Sequence, residues 1–189
     1  MEKVLARRKI FSGRVLELEV LEVETAAGVR TTREVVRHGG AVAVLAITAG
    51  GNIMLVRQYR VAVGRSMMEI VAGILDREEE DPADCARREL REETGFQAAE
   101  LVRLGEIHPS PGYITERIHL FAARLEGRPG PAHLDHDEDL QTVELSPARF
   151  RRMVAAGEVQ DGKTLAAWAL FLERGLDRTM LSRTPAGKG

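Results

Sequence analysis

Glu89, Glu92 and Glu93 fall at i, i+3 and i+4 within Arg87-Arg88-Glu89-Leu90-Arg91-Glu92-Glu93-Thr94-Gly95. On a helix that spacing puts the three carboxylates on one face. Like charges so placed repel by roughly a few tenths of a kcal/mol per pair. Divalent cations would turn the repulsion into a binding site. Hard ions such as Mg²⁺ take oxygen ligands, keep several waters and bridge to substrate phosphates. Taken alone, Arg and Glu mixed along a helix also describe a solvated, salt-bridged face, so the surroundings must decide.

The elements around this segment read as an α/β chain. Leu16, Leu18 and Val20 alternate with glutamates as in a half-buried strand. Leu21 and Val23 continue one residue out of step, which suggests a bulge or a change of face. Thr31 to Arg37 is the returning strand, and Gly39-Gly40 breaks the chain. Ala41 to Ile47 is a buried strand, Ala49-Gly50-Gly51-Asn52 a hairpin turn, Ile53 to Tyr59 the next strand, and Met67 to Gly73 a short extended segment. Asp81-Pro82 starts a helix, the Asp as cap and the Pro at the first position, and Gly95 stops it. Strands are expected around 99–107, 117–125 and 142–145, a loop over 127–139, and amphipathic helices over 147–156 and 164–175. The last dozen residues have no core pattern and are expected to fray.

The whole-chain numbers narrow the class. At 189 residues with 44% apolar and 30% charged residues, the composition is that of a soluble globular domain. A formal net charge of −2 advertises neither nucleic acid nor an anionic membrane as partner. Aromatic residues, at 4%, are too sparse for a stacking platform on single strands. One cysteine, Cys85, permits no intrachain disulfide and makes a cysteine-based zinc site improbable. The charged N-terminus does not read as a secretory signal, and the longest apolar run is too short for a bilayer. A reduced, cytoplasmic setting is the expectation.

The run from Gly73 to Phe96 resembles the Nudix box: Gly, five residues, Glu, seven residues, Arg-Glu, an aliphatic residue, any residue, Glu-Glu, any residue, Gly, then an apolar residue. Arg88-Glu89-Leu90-Arg91-Glu92-Glu93-Thr94-Gly95-Phe96 matches at every fixed position. The first half carries one extra residue. With Glu80 as the first glutamate the gap back to Gly73 is six residues; with Glu79 the later gap is eight. Glu80 is preferred, because Asp81-Pro82 then starts the helix in the usual place.

The resemblance implies a Nudix-type α/β/α sandwich with a mixed sheet, plus an N-terminal antiparallel strand layer. It implies Mg²⁺ (Mn²⁺ or another divalent ion as alternatives) held by Glu89, Glu93, Glu92 and the main-chain carbonyl of Ala72. Arg88 would orient the glutamates by bidentate bonds, and Glu92 would ligate or orient water. Further segments resemble the ADP-ribose pyrophosphatase branch: Thr32-Arg33-Glu34-Val35-Val36, Val56-Arg57-Gln58-Tyr59-Arg60, Glu69-Ile70-Val71-Ala72-Gly73, Ser110-Pro111-Gly112-Tyr113-Ile114-Thr115-Glu116 and Asp161-Gly162-Lys163-Thr164-Leu165. Pro111 stands sixteen residues after Gly95, the spacing associated with ADP-ribose. The branch usually has Pro where this chain has Val71.

By that resemblance Arg33, Arg57, Glu69, Pro111 and Gly112 would bind substrate. A glutamate of the acidic loop, best aligned as Glu138, would be the base, with Glu116 as runner-up. Each also has a plainer reading: Pro111-Gly112 as a turn, Arg57 and Glu69 as a surface pair, the 135–139 loop as solvated acid, His133 and His136 as exposed loop residues. The expected organisation is an N-terminal strand segment over 1–40, the hydrolase domain over 41–176 and a tail over 177–189. A homodimer is implied, with a partner aromatic such as Phe11 completing the pocket. The expected reaction is hydrolysis of ADP-ribose to AMP and ribose 5-phosphate. Hydrolysis of another nucleoside diphosphate sugar such as GDP-mannose, or ADP-ribose sensing without hydrolysis, remain as alternatives.

Overall fold

The computed structural model describes residues 1–75, 80–131 and 140–182, in two compact units. One comprises Met1–Gly40 with His108–Arg117, the other the described residues of Ala41–Ile107 and Ile118–Gly189.

The first unit is a three-stranded antiparallel sheet in the order β1-β2-β3: β1 (Lys3–Ser12), β2 (Leu16–Glu24) and β3 (Arg30–His38). The sequence pattern had not shown β1. The β2–β3 register runs unbroken from Leu16 opposite His38 to Glu24 opposite Arg30. The irregularity suspected in β2 lies in its partner instead, where Leu5 and Ile10 are the extra residues of β1. The segment His108–Arg117 belongs with these strands because Val36 N–H donates to the Tyr113 carbonyl (2.7 Å) and Thr115 N–H to the Val36 carbonyl (3.0 Å).

The second unit is a mixed seven-stranded sheet covered on both faces. Its strands are β4 (Ala41–Ile47), β5 (Ile53–Arg60), β6 (Arg65–Glu69), β7 (Val71–Ile74), β8 (Gln97–Ile107), β9 (Ile118–Glu126) and β10 (Leu140–Leu145). The central order is β10-β5-β4-β9-β8, with β6 on β5 and β7 on β4. The β4–β9 pair is parallel and the others antiparallel. Strand β4 reads as an unbroken apolar run because both its faces are buried. Val42, Val44 and Ala46 pack with Cys85, Ala86 and Leu90 of α1 (Pro82–Thr94). Ala41, Ala43, Leu45 and Ile47 pack with Phe150 of α2 (Pro147–Ala155) and Ala167, Trp168 and Phe171 of α3 (Gly162–Glu173). This is the α/β/α sandwich with a mixed sheet, and the three-stranded antiparallel sheet of the first unit is the separate N-terminal strand layer. Fully burying each of the Val, Leu, Ile and Phe side chains among these is worth about 1.5–3 kcal/mol.

Two details differ from the sequence expectation. The extended segment 67–73 is two strands that part at Ile70, one pairing with β5 and the other with β4. The start of the expected tail folds as α4 (Asp177–Met180), with Met180 buried in the α2–α3 side of the core. Among the described residues no helix is long and apolar enough to cross a membrane.

Candidate active site

Helix α1 forms where its local signals put it. Asp81 accepts from Ala83 N–H (2.7 Å), Pro82 takes the first turn, and Gly95 closes the helix at φ 73°, donating to the Arg91 carbonyl. A side chain at Gly95 would also run into the Gly130 carbonyl, so glycine is required there twice over. The buried stripe Cys85, Ala86, Leu90, Glu93 and Thr94 turns Glu93 toward the sheet, while Glu89 and Glu92 flank it, half-buried.

Arg88 organises the carboxylates. Its side chain is 10% exposed. Nε and Nη2 donate to the two oxygens of Glu80, each at 3.0 Å. Nη1 donates to Glu89 at 2.5 Å and to Glu92 at 3.0 Å. The bonds to Glu80, and the charges of the glutamates, raise the guanidinium's pKa against the effect of burial, so Arg88 stays charged. Glu80, preferred as the box's first glutamate, is therefore the bidentate partner of Arg88. Glu79 and the extra residue of the box lie outside the described residues.

Strand β7 brings the backbone. Ala72 and Gly73 pair with Ala43 and Val42 of β4. A Cβ at Gly73 would overlap the Glu89 carboxyl group, so the missing side chain is the space that carboxylate occupies. The Glu89 carboxylate thus rests against Gly73, the residue that follows Ala72. Carboxylates plus a peptide carbonyl are an all-oxygen donor set, which suits a hard divalent ion. The cradle at Gly73 fits the same reading. Among the described residues no three His, Cys, Asp or Glu side chains converge in a metal-holding group. Here Glu80, Glu89 and Glu92 are gathered on Arg88 instead.

Sequence reading assigned a second charged cluster differently. Glu69, proposed to face substrate, is 2% exposed and both its oxygens are engaged. Arg60 donates to them from Nε and Nη2, each at 2.8 Å, and Lys163 Nζ bonds Oε2. Burial alone would raise the Glu69 pKa, but Arg60 and Lys163 outweigh it and hold the carboxyl at about 2. Glu69 is thus a neutralised buried anion, and the surface pair with Arg57 is not formed. The bonds to Glu69 are the largest cause that raises the Arg60 pKa, and the Glu93 charge is among the smaller ones. Arg60 and Lys163 were the residues sequence reading passed over. The available signal was a basic residue in each of two segments already quoted for their resemblance.

Arg57 is exposed on the sheet face opposite α1. Its neighbour Val56 packs with the α1 side, whereas Arg57 lies across from Met68 in β6 and lines a hollow of about 190 Å³ with Arg65, Met68, Met153 and Gln160. The structure does not bring it to the α1 carboxylates. Val71, where Pro was expected, is fully buried and pairs with Val44, so it fills the core under α1.

The remaining candidates among the described residues belong to the first unit. Arg33 is exposed and donates to Glu2 (2.6 Å). Pro111 and Gly112 form an exposed turn closed by Tyr113 N–H and Ile114 N–H on the Ser110 carbonyl (3.2 and 3.1 Å). Glu116 is half-buried, 3.9 Å from His38 Nδ1. His38 Nδ1 accepts from Gly40 N–H (3.0 Å). Glu138, with His133 and His136, lies outside the described residues.

Comparison with known proteins agrees with this geometry. The NUDIX domain profile matches residues 37–168. The ADP-ribose pyrophosphatase of Bacillus subtilis (strain 168) is 41% identical over 167 residues, covering 88% of this chain and 90% of that protein. The methanol dehydrogenase activator of Bacillus methanolicus is also 41% identical, with the same coverage. The GDP-mannose pyrophosphatase of Escherichia coli (strain K12) is 37% identical over 146 residues, covering 72% of this chain and 75% of that one. A crystal structure of an ADP compounds hydrolase shares the fold, with a TM-score of 0.81 over 97% of each chain at 23% identity. The match runs from β3 into α3 and takes in β7, α1 and the Arg88 cluster between them; the chain belongs to the NUDIX domain family and is a Nudix pyrophosphohydrolase of the ADP-ribose pyrophosphatase-like branch.

Proposed function

We propose that this chain hydrolyses the pyrophosphate of ADP-ribose to AMP and ribose 5-phosphate. The coarser activity, cleavage of a nucleotide or nucleotide-sugar pyrophosphate, comes with the family. The observation that carries the assignment of residues is the meeting of the Glu89 carboxylate with Gly73 beside the Arg88 clamp. Support for ADP-ribose comes from the Ser110-Pro111-Gly112 turn and the 41% identity to the Bacillus subtilis enzyme.

Nudix hydrolysis uses a divalent cation such as Mg²⁺, which when bound neutralises the phosphoryl oxygens and lowers the pKa of a water. Glu89, Glu93 and the Ala72 carbonyl would hold it, with Glu92 as a further carboxylate. Arg88 keeps Glu89 and Glu92 in place by charged hydrogen bonds. Water oxygen forms the new P–O bond, the bridging P–O bond breaks, and the water's proton passes to a carboxylate base. Glu138 is our assignment for that base, with Glu116 second.

We also assign a homodimer. All ten residues of β1 are exposed, and Val4, Leu5, Ile10 and Phe11 are among them, at 40–55% exposure. An edge strand with that much exposed apolar surface invites pairing with another chain. Sedimentation analysis giving twice the 20.8 kDa chain mass would support it, and a monomer would end it.

The direct test is product analysis with purified protein, Mg²⁺, and ADP-ribose, ADP-glucose, GDP-mannose, NADH and diadenosine polyphosphates. AMP and ribose 5-phosphate from ADP-ribose are expected. Preference for GDP-mannose, the second reading raised by the Escherichia coli relative, would keep the chemistry and move the pocket. Tight metal-independent ADP-ribose binding with no turnover would instead make the protein a sensor.

A further inference from the structure

Ile70 is the residue at which the chain leaves β5 and joins β4. Its N–H is buried and donates to Thr164 Oγ1 at 2.9 Å. The Thr164 hydroxyl in turn donates to Asp161 Oδ2 at 2.5 Å, and the same oxygen accepts Thr164 N–H at 3.0 Å as the cap of α3. Asp161 Oδ1 receives Lys163 Nζ at 3.0 Å, and Lys163 also bonds Glu69. The start of α3 therefore grips both Glu69 and Ile70, the two residues that precede β7. Two positions further on stands Ala72, and then Gly73 against Glu89.

Strand β7 has only four residues, and its ladder to β4 involves Ala41 to Val44. A strand so short fixes its own register weakly, so the anchor before it sets where the Ala72 carbonyl and Gly73 lie along Glu89. We infer that Thr164, with Asp161 and Lys163, is a positioning group for the Ala72–Gly73 backbone of the active site, acting through Ile70 and Glu69. The inference rests on the metal assignment proposed above. Thr164 is fully buried, and its hydroxyl serves the strand and the helix cap together. Removing it leaves the Ile70 N–H without its acceptor inside the protein, which favours a shifted β7 over the native one.

The test uses the full chain, with Mn²⁺ alone as the probe followed by electron paramagnetic resonance, and kinetics on whichever substrate the wild type turns over. Thr164→Val keeps the shape and loses the hydroxyl; Thr164→Ser keeps the hydroxyl. Thr164→Val is expected to weaken Mn²⁺ binding about 10-fold and lower kcat about 10- to 100-fold, the usual range for groups that orient metal ligands, while KM changes little. Thr164→Ser should restore both. Should Thr164→Val not fold, Lys163→Gln cuts the Lys163 bonds to Glu69 and Asp161 while leaving the Thr164–Ile70 bond, and is expected to weaken Mn²⁺ affinity about 10-fold, the lower end of the range for a lost supporting contact. A Thr164→Val protein that loses only thermal stability, with wild-type Mn²⁺ affinity and kcat, would overturn the inference. So would a Lys163→Gln protein with unchanged Mn²⁺ affinity if that variant has to serve. A wild type that neither binds Mn²⁺ nor turns over any substrate would remove the proposed function, and this inference with it.

Discussion

Around Arg88 one guanidinium faces three carboxylates, whereas around Glu69 one carboxylate faces a guanidinium and an ammonium. Both clusters are largely withdrawn from water, and both are built from the same residue types. They differ in charge balance. At Glu69, where Asp161 also meets the Lys163 ammonium, two carboxylates match two cations; the Glu69 carboxyl is held at about 2 and the cluster joins β5, β6 and α3. At α1, among the described residues, three carboxylates share the one guanidinium of Arg88, which orients them. Carboxylates in excess and held in place are what a divalent cation needs from a protein, and a bound cation in turn takes phosphate oxygens as ligands. Charge balance, more than the presence of acids, distinguishes the candidate metal-binding cluster from the one at Glu69.

The comparison breaks most visibly at Glu93. Glu93→Gln removes one negative charge at nearly constant volume, and kcat should fall by about 10³-fold, the upper range for losing one preorganised electrostatic contact. Circular dichroism should show the fold unchanged. Initial rates close to wild type would take Glu93 out of the working set.

Gly73→Ala attacks the same cluster through the backbone. The new methyl would overlap the Glu89 carboxyl, and kcat should drop roughly 10- to 100-fold, as when a supporting contact to a metal ligand is lost. If activity survives, Glu89 does not need the position it occupies here.

The Glu69 cluster should answer in stability. Its carboxyl lies at about 2 in the folded chain against an ordinary 4.5. The ionised form is therefore favoured by folding, with the full contribution present above about pH 4.5 and lost as pH falls from there toward 2. That difference corresponds to something on the order of 3 kcal/mol. Denaturant titrations at pH 7 and pH 3 should show Glu69→Gln destabilised at pH 7 and the gap to wild type narrowed at pH 3. A gap independent of pH would mean that the ion pairs do not stabilise the fold.

The smallest effect is expected at Cys85, beside Arg88 but fully buried. Burial pushes its thiol up to about 12, more than the neighbouring guanidinium can offset. An aromatic disulfide reagent at pH 8 should leave the native protein unmodified and label one thiol in denaturant. Rapid native labelling would show that α1 opens from the sheet.

Much of the site was legible in the chain because its signals are local. Asp81, Pro82 and Gly95 mark the two ends of α1 by the backbone groups they satisfy, and the i, i+3, i+4 spacing places the glutamates on its surface. Strand β4 announced itself by an apolar run that only a doubly covered strand tolerates. Strand β1 gave no such signal. All its residues are exposed and two bulges break the period of two, so neither burial nor alternation wrote it into the sequence. The parting of β6 and β7 at Ile70 was hidden for the opposite reason, since Met67 to Val71 is apolar apart from Glu69 and looks continuous.

By itself, then, the sequence determined the family chemistry: the helix, its carboxylates, the glycine before it and the arginine among them. Tertiary structure decided which charges meet. Glu69 finds Arg60 nine residues back and Lys163 ninety-four residues on, and Ile70 finds Thr164 equally far away. Arg57, one residue along the strand from Val56, is turned to the other face. Periodicity and caps act within a few residues of chain, whereas pairing of charges depends on which strands the sheet sets side by side.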